Sequence, residues 1–487
     1  MNQELFARVS AWVEAHREDL LRDIIRLARI PSVSDETAAI APYGQPCRDA
    51  LDEFFKIAKE HGFHTKNYDY HCGSAWLGDA ESKAEDSVAL WGHLDVVPAG
   101  DNWNFRPFEP VEKDGWLIGR GTGDNKGPAV ADLYAALCLR ELGLTLQRPL
   151  QIFAGCNEER GMADMEYFAA HYPAPLLSLV TDGRFPAGYA EKGIIDARLV
   201  GDTPLSERVV ALRGGLVSNM VPDFAEIVLG GVDPADPAFG LLPKDFQVVA
   251  GEGTVAVQAR GQARHSAFPE GGVNAISKLA HGLLAAGLLR EDDEAALHFF
   301  TQVNLAVDGR GLGIACSDEV SGALTCVGSI CSLDDARRPV LQINIRYPVK
   351  ADQPWLLQAL GESAKRSGFH FDLIRNSKPN DFPKEHPVVK TLTRVFNEVT
   401  GQSAEPFSMS GGTYARKLPR ALICGMGIPD REGASPEAHP FLPPGHGGAH
   451  APDEALNIDD LLLGIKILCM VLPEVDRLDL SDLPEKG

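Results

Sequence analysis

Apolar and polar residues follow two different rhythms along this chain, and the change of rhythm divides it. From residue 1 to 193, stretches with apolar residues every three or four positions, such as LDEFFKIAKEHGF and GPAVADLYAALCLRELG, predict helices. Short unbroken apolar runs between them, SVALWG, LQIFAG and LLSLVT, predict buried strands, and this alternation predicts a mostly parallel sheet. From 194 to 382 the segments IIDARLVG, FAEIVLGG, GTVAVQARG and LQINIRYP alternate apolar with polar residues and end in Gly or Pro, the pattern of antiparallel strands with one solvated face. Two amphipathic helices, NAISKLAHGLLAAGLL and QPWLLQALGESAKRSG, lie among them. The first rhythm returns over 383–487, with HPVVKTLTRVFNEVTG as a helix, RALICGMG as a strand and IDDLLLGIKILCMVLPEV as the closing helix. The pattern therefore predicts an α/β fold: a parallel-sheet domain from 1–193 and 383–487, interrupted by an α+β domain over 194–382. A chain of 487 residues is long enough to need two cores.

The N-terminal stretch MNQELFARVSAWVEAHREDLLRDIIRLARIPSV carries acids among apolar residues at helical spacing, so it reads as an amphipathic helix and not as a signal peptide. No apolar run reaches the about 18 residues that span a bilayer. The formal net charge of −22 disfavours nucleic acid and anionic membranes as partners, since binding phosphate wants a basic face. Nine cysteines, an odd number with no CxxC pair, fit reduced thiols in a cytoplasm. Cys156 reads as a small buried residue. Residues 429–450, rich in Pro, Gly and His, read as a long loop.

Acidic residues and histidines gather at the ends of the expected strands. His93 and Asp95 lie in ALWGHLDVVPAG, Asp124 in IGRGTGDNKG, Glu158 and Glu159 in GCNEERG and Asp182 in LVTDG. All should leave the carboxyl edge of one sheet, where open α/β sheets build their sites. An imidazole and several carboxylates in one crevice repel unless cations sit among them, and nitrogen with hard oxygen donors suits Zn²⁺, Mn²⁺ or Co²⁺. A metal-dependent hydrolase is the expectation.

Each motif has its own logic. Asp95, two residues beyond His93 on an extended backbone, can accept the second N–H of a ligating imidazole. Four glycines around Asp124 allow a sharp turn that presents its carboxylate from a helix N-terminus, and two carboxylate oxygens can bridge metals about 3.5–4 Å apart. That loop has neither the GxGxxG nor the Walker spacing of a phosphate cradle. Glu158 and Glu159 leave their strand in different directions, so one can bind metal while the other faces the attacking water. Asp182 adds an oxygen donor, and Lys126 is expected to pack or pair locally. The last donor is expected among His439, His446 and His450. His450 is favoured because it stands directly before APDEALNIDDLLLG, where a helix start would fix it. A protein that only bound metal or peptide would need neither Asp95 nor Glu158.

In this order, GHLDVVPAG, W…PFEP…DGWLIGRGTGDNKG, NEERG, VTDGRFPAGYAEKG, RHSAFPEGGVNAI, NIRYP, SGGTYAR and AHAPDEAL resemble the di-zinc aminoacylase/carboxypeptidase family of metallopeptidases. Within that family the resemblance is to the PepV-type Xaa-His (β-Ala-His) dipeptidases, through GRFPAGYAEKG, LVSNMVPD and GGTYAR. It spans residues 25 to 465 and implies a di-metal catalytic domain with an inserted lid. It implies one metal held by His93, Asp124 and Asp182 and another by Asp124, Glu159 and His450, two divalent ions with zinc first and manganese or cobalt acceptable. Glu158 would be the general base and Asp95 the partner of His93, and the peptide after Asp124 would be cis. Asn219, His265 and Arg346 would grip the scissile carbonyl and the substrate carboxylate, beside a backbone loop at Gly411, Gly412 and Thr413. The reaction implied is hydrolysis of a dipeptide amide by a metal-bridged hydroxide, with an N-acyl-amino-acid deacylase or carboxypeptidase of the same family as the alternative.

In dimeric members of the family a histidine from one lid completes the partner's site. Here the insertion is long enough for two lid units, so His265 is expected to act on its own chain in a monomer. Two departures stand out. The loop from Gly433 to Gly448 is longer than the family pattern and should reshape the entrance. Cys156 and Asn157 stand where the family carries Thr/Asp-like residues, so the sequence leaves open which hydrogen bonds steady Glu158.

Overall fold

The computed structural model describes residues 2–79, 82–429 and 441–484. Its contacts divide the chain into two compact units: Met1–Tyr189 with Asp381–Phe407 and Gly412–Gly487, and Ala190–Asn380 with Ser408–Gly411. The fold is mixed α/β.

In the first unit the central strands are β1 (Cys72–Trp76), β2 (Val88–His93), β3 (Leu150–Gly155), β4 (Leu177–Val180) and β5 (Ala421–Ile423). Across the sheet the order is His64–Tyr68, β1, β3, β2, β4, β5. The pairs β2–β3, β2–β4 and β4–β5 are parallel, and β1 runs antiparallel to β3. All six residues of β2 are buried, which is why it reads as an unbroken apolar run and not as an alternating one. Below its end the Trp91 and Phe153 rings stack at 4.1 Å, and the Trp91 indole donates to Ser178 Oγ at 3.1 Å.

Helix α1 (Lys126–Glu141) is buried without interruption from Lys126 to Leu139. An all-round apolar helix of this kind belongs inside a core. The closing helix α2 (Ile458–Val475) meets it, the Cys469 thiol donating to Ala135 O at 3.6 Å. A small antiparallel sheet of Ala455–Asn457, Trp116–Ile118 and Val111–Lys113 sits in the same unit. The N-terminal stretch forms two helices, Gln3–Ala15 and Arg17–Ala28, and not one. They meet at His16, whose ring stacks on Trp12 and shares the Trp12 carbonyl with its own backbone amide.

The second unit is an eight-stranded antiparallel sheet in the order Gln247–Gly251, Thr254–Arg260, Phe224–Gly230, Val209–Gly214, Thr325–Leu333, Pro339–Tyr347, Gly193–Gly201, Phe369–Ser377. Two four-stranded halves meet at the pairs Arg213–Ser332 and Gly214–Cys331. Both halves nevertheless share one core, in which Ile227 and Leu283 join Leu341 and Ile343. Helices Ala275–Ala286 and Gln353–Arg366 pack on it together with Glu291–Val303, whose acidic start and short apolar run left it unread in the sequence. All nine cysteines are free thiols, and no helix among the described residues is long and apolar enough to cross a membrane.

Candidate active site

Three adjacent parallel strands deliver the acidic residues to one edge. His93 ends β2, Asp182 follows β4 by two residues, and Glu158 and Glu159 follow β3 after Cys156 and Asn157. Asp124 arrives from the Gly-rich loop ahead of α1, and its peptide bond to Asn125 is cis. Asn125 ties that loop to two strand ends. Its amide group donates to Thr181 O at 3.2 Å and Asp182 Oδ1 at 3.1 Å, while its oxygen accepts from the His93 backbone N–H at 3.2 Å. A Cβ on Gly92 would lie 2.5 Å from that oxygen, so only glycine allows the approach.

The donors meet around Asp124. His93 Nε2 lies 3.0 Å from Asp124 Oδ1, and His450 Nε2 lies 3.1 Å from Oδ2 and 3.0 Å from Glu159 Oε1. Asp182 Oδ2 is 3.8 Å from His93 Nε2. His93, Asp124 and Glu159 offer atoms within 4.8 Å of one another, as do His93, Glu158 and Asp182. Glu158 thus stands within reach of the same position as His93 and Asp182, so distance alone does not separate base from ligand. His450 is half exposed and the remaining donors are not. What precedes the closing helix after His450 is the strand Ala455–Asn457, so a strand and not a helix start follows the histidine. His446 instead faces Asp453, 2.7 Å away, and His439 lies outside the described residues, as does part of the 433–448 loop.

The charge balance of this cluster fits divalent cations. Burial pushes the Glu158, Glu159 and Asp182 carboxyls upward, and neighbouring carboxylates add to it, Asp182 reaching about 7. For Asp124 burial also pushes upward, but its bonds to His450 and His93 overcome this and hold it well below the usual carboxylate range. Contacts with Asp124 and Glu159 raise His450 to about 11. Burial opposes the charged form of His93, yet its bonds to Asp124 and Asp95 leave it well above the ordinary imidazole value. The cluster attracts protons from both sides, so it calls for positive charge, and its imidazole and carboxylate donors are those of a borderline-hard divalent metal.

Carboxylates beside the cluster hold it in shape. Asp95 Oδ1 lies 3.4 Å from His93 Nδ1, whose nearest acceptor is the Asp95 backbone oxygen at 3.0 Å. The same carboxylate accepts the Glu158 and Glu159 amides at 3.1 and 3.0 Å. Glu454 Oε1 accepts the Gly123 and Asp124 amides, each at 3.0 Å, and its Oε2 pairs with Arg120 at 2.7 Å. Arg120 also donates to His450 O at 3.3 Å, so one buried ion pair secures both the Asp124 loop and His450. Neither Arg120 nor Glu454 was singled out in the sequence. The only signal for Glu454 is its place in APDE, four residues after His450. Lys126, fully buried, donates to Leu27 O and Ile30 O and is pushed down to about 7 by burial. Cys156 is buried, its thiol pushed well up by burial.

Beside Asp124 and Asp182, within the first unit, a cavity of about 600 Å³ is lined by Trp116, Arg184, Met426, Leu456 and Asp460 among others. Its size suits a small ligand. Thr413, which caps the short turn Tyr414–Arg416, belongs to the first unit with Gly412, whereas Gly411 belongs to the second.

In the second unit the structure joins the other candidates into one network. Met220 pairs with His265 in a short two-stranded ladder, and Asn219 O accepts the Ser266 amide at 2.8 Å. Ser266 Oγ donates to Asn344 Oδ1 at 2.6 Å, and that oxygen also accepts Arg346 Nε at 3.1 Å. Arg346 is buried and donates to Ser410 O at 3.2 Å, while His265 is exposed.

The sequence pattern of peptidase family M20/M25/M40 matches residues 89–474. A Bacillus subtilis (strain 168) protein named "Putative dipeptidase YtjP" is 32% identical over 482 residues, covering 95% of this chain and 98% of that one. The "Beta-Ala-Xaa dipeptidase" of Lactobacillus delbrueckii subsp. lactis is 27% identical over 481 residues, covering 95% and 97%. Among solved structures, the Saccharomyces cerevisiae di-peptidase Dug1p shares the fold with a TM-score of 0.58 at 14% identity, over 97% of this chain and 99% of that one.

The Arg120–Glu454 pair yields a stability prediction. Arg120→Met leaves the Glu454 carboxylate buried without its cation, which should cost about 3–5 kcal/mol in urea denaturation. A loss below about 1 kcal/mol would mean that the pair is not what secures these loops.

Proposed function

The chain belongs to peptidase family M20/M25/M40, and within it we propose a metal-dependent dipeptidase that cleaves the amide of Xaa-His or other dipeptides. The observation that carries this reading is Asp124, whose two carboxylate oxygens each face a different imidazole, His93 at 3.0 Å and His450 at 3.1 Å. A carboxylate shared in this way suits two cations side by side. One would be held by His93, Asp124 and Asp182, the other by Asp124, Glu159 and His450. Zinc is the first choice, and manganese or cobalt would accept the same donors. Bound cations of this kind supply Lewis acidity, which lowers the pKa of water to about 7 in known zinc sites and polarises a carbonyl.

The chain's own residues do the rest. Glu158 takes the proton of the attacking water and passes it to the leaving amine. Asp95 orients His93 and, through two amides, the Glu158–Glu159 turn. We assign Asn219 and His265 to the scissile carbonyl, Arg346 to a bidentate grip on the substrate carboxylate, and the Gly411–Gly412–Thr413 backbone to the same end of the substrate. A required grip on the free carboxylate would restrict the enzyme to short peptides. We assign catalysis to a domain formed by 1–193 with 383–487 and substrate closure to an inserted lid, 194–382, acting within a cytoplasmic monomer.

Three outcomes test this. Metal-reconstituted protein should hydrolyse dipeptides such as β-Ala-His, lose the activity in excess chelator and regain it with Zn²⁺, Mn²⁺ or Co²⁺. Faster turnover of N-acetyl amino acids with dipeptides untouched would replace the dipeptidase by a deacylase. Next, Glu158→Gln should lower kcat by at least about 10²-fold with metal content kept, whereas Glu159→Gln should lose metal. The reverse pattern would exchange their roles. Finally, mixing inactive His265→Ala with inactive Glu158→Gln should restore nothing if His265 serves its own chain. Regained activity would demonstrate a dimer with shared sites.

A further inference from the structure

Two carboxylates outside the proposed ligand set divide the turn that carries Glu158. Asp95 accepts the amides of residues 158 and 159. Asp164 accepts the two before them, Cys156 N at 2.8 Å and Asn157 N at 2.9 Å, both on Oδ2. Four consecutive amides are therefore held by two buried side chains. Asn157 closes the loop further, its Oδ1 accepting Ala163 N at 3.0 Å and its amide group donating to Ser34 Oγ at 2.7 Å.

Asp164 is itself held. It is fully buried, its Oδ1 accepts Met165 N at 2.8 Å, and its Oδ2 receives the Tyr414 hydroxyl as a third donor. Tyr414 is 1% exposed, and its ring meets the His93 ring edge-on at 6.4 Å between centroids. The fit around this contact is close. A Cβ on Gly155 would lie 2.0 Å from the Tyr414 oxygen and 2.5 Å from Asp164 Oδ2. A carboxylate carrying four donors has one orientation, and charge-assisted bonds of this type are about twice as strong as neutral ones. The Asn157 side chain ties the loop to Ala163 and Ser34, and the Asp164 carboxylate holds the two backbone amides that immediately precede Glu158.

We propose that Asp164 and Tyr414 are positioning residues for Glu158: the Tyr414 hydroxyl orients the Asp164 carboxylate, which fixes the 156–157 amides and so the turn that presents the base. The proposal rests on Glu158 acting as general base. Tyr414 follows Gly411–Gly412–Thr413 directly in the chain, so the same hydrogen bond links the segment assigned to substrate with the segment carrying the base.

Asp164→Ala would also leave a hole in the core, so Tyr414→Phe, which removes one hydroxyl, is the informative change. It should lower kcat roughly 10-fold with KM within about twofold and metal content unchanged. Amide hydrogen exchange at residues 156–159 should quicken by at least roughly 10-fold. Asp164→Asn, isosteric but uncharged, should move both readouts the same way. On a Glu158→Gln background Tyr414→Phe should cost nothing further in kcat, because residues that act through one another are not additive. Unchanged exchange and kcat in Tyr414→Phe, or a full additional loss on the Glu158→Gln background, overturns the proposal. Exchange reports the turn whatever the substrate, so quickened exchange in a protein that cleaves no dipeptide would refute the dipeptidase reading and leave the hold on the turn standing. Intact exchange in an active dipeptidase would refute the positioning role alone.

Discussion

Asp124, Glu158, Glu159 and Asp182 repel one another, and burial makes charging each of them harder, so nothing local would keep them at one strand edge. What assembles them is a second set of buried carboxylates that bind backbone instead of one another. Asp95, Asp164 and Glu454 each accept two consecutive amides, at 158–159, 156–157 and 123–124. An amide pair is a fixed pair of dipoles and can compensate a buried negative charge without adding a mobile cation. The loops that carry the donors are thereby locked before any ligand arrives.

This arrangement divides the work between scaffold and site. The parallel strands set only the starting points of the loops, since His93 pairs with Gly155 and Trp91 with Val180 in neighbouring ladders. The directions of the side chains come from the amide grips, from Asn125 between the strand ends, and from the Arg120–Glu454 pair beneath Asp124 and His450. A hydrolytic site needs its base and donors held to within a fraction of an ångström, and hydrogen bonds to backbone satisfy that better than long side chains do. In the second unit short side chains do the linking instead, Ser266 and Asn344 joining the strand of His265 to Arg346.

Much of this was legible along the chain. Strand ends such as SVALWGH and LLSLVTD name their acidic or imidazole residue directly, because a buried parallel strand is a short apolar run and its carboxyl end is where a loop must leave. The departure at Cys156–Asn157 was visible too, but not its outcome: the Asn157 side chain bonds Ala163 N and Ser34 Oγ, and the amides of 156–159 are held by Asp164 and Asp95. Asp164 and Tyr414, 250 residues apart, share no pattern in the sequence. Glu454 and Arg120, 334 apart, share none either. The N-terminal helix divides at His16 because of a side-chain bond that periodicity does not register.

The sequence by itself determined the two rhythms of the chain, the parallel and antiparallel units they build, and the residues at the strand ends, because hydrophobic period and turn chemistry act over a few neighbouring positions. Only the tertiary structure decided which carboxylates face the cluster and which hold the backbone behind it. Asp95, Asp164 and Glu454 differ from Asp124, Glu159 and Asp182 in nothing but their surroundings, and those surroundings consist of amides and rings brought in from distant parts of the chain.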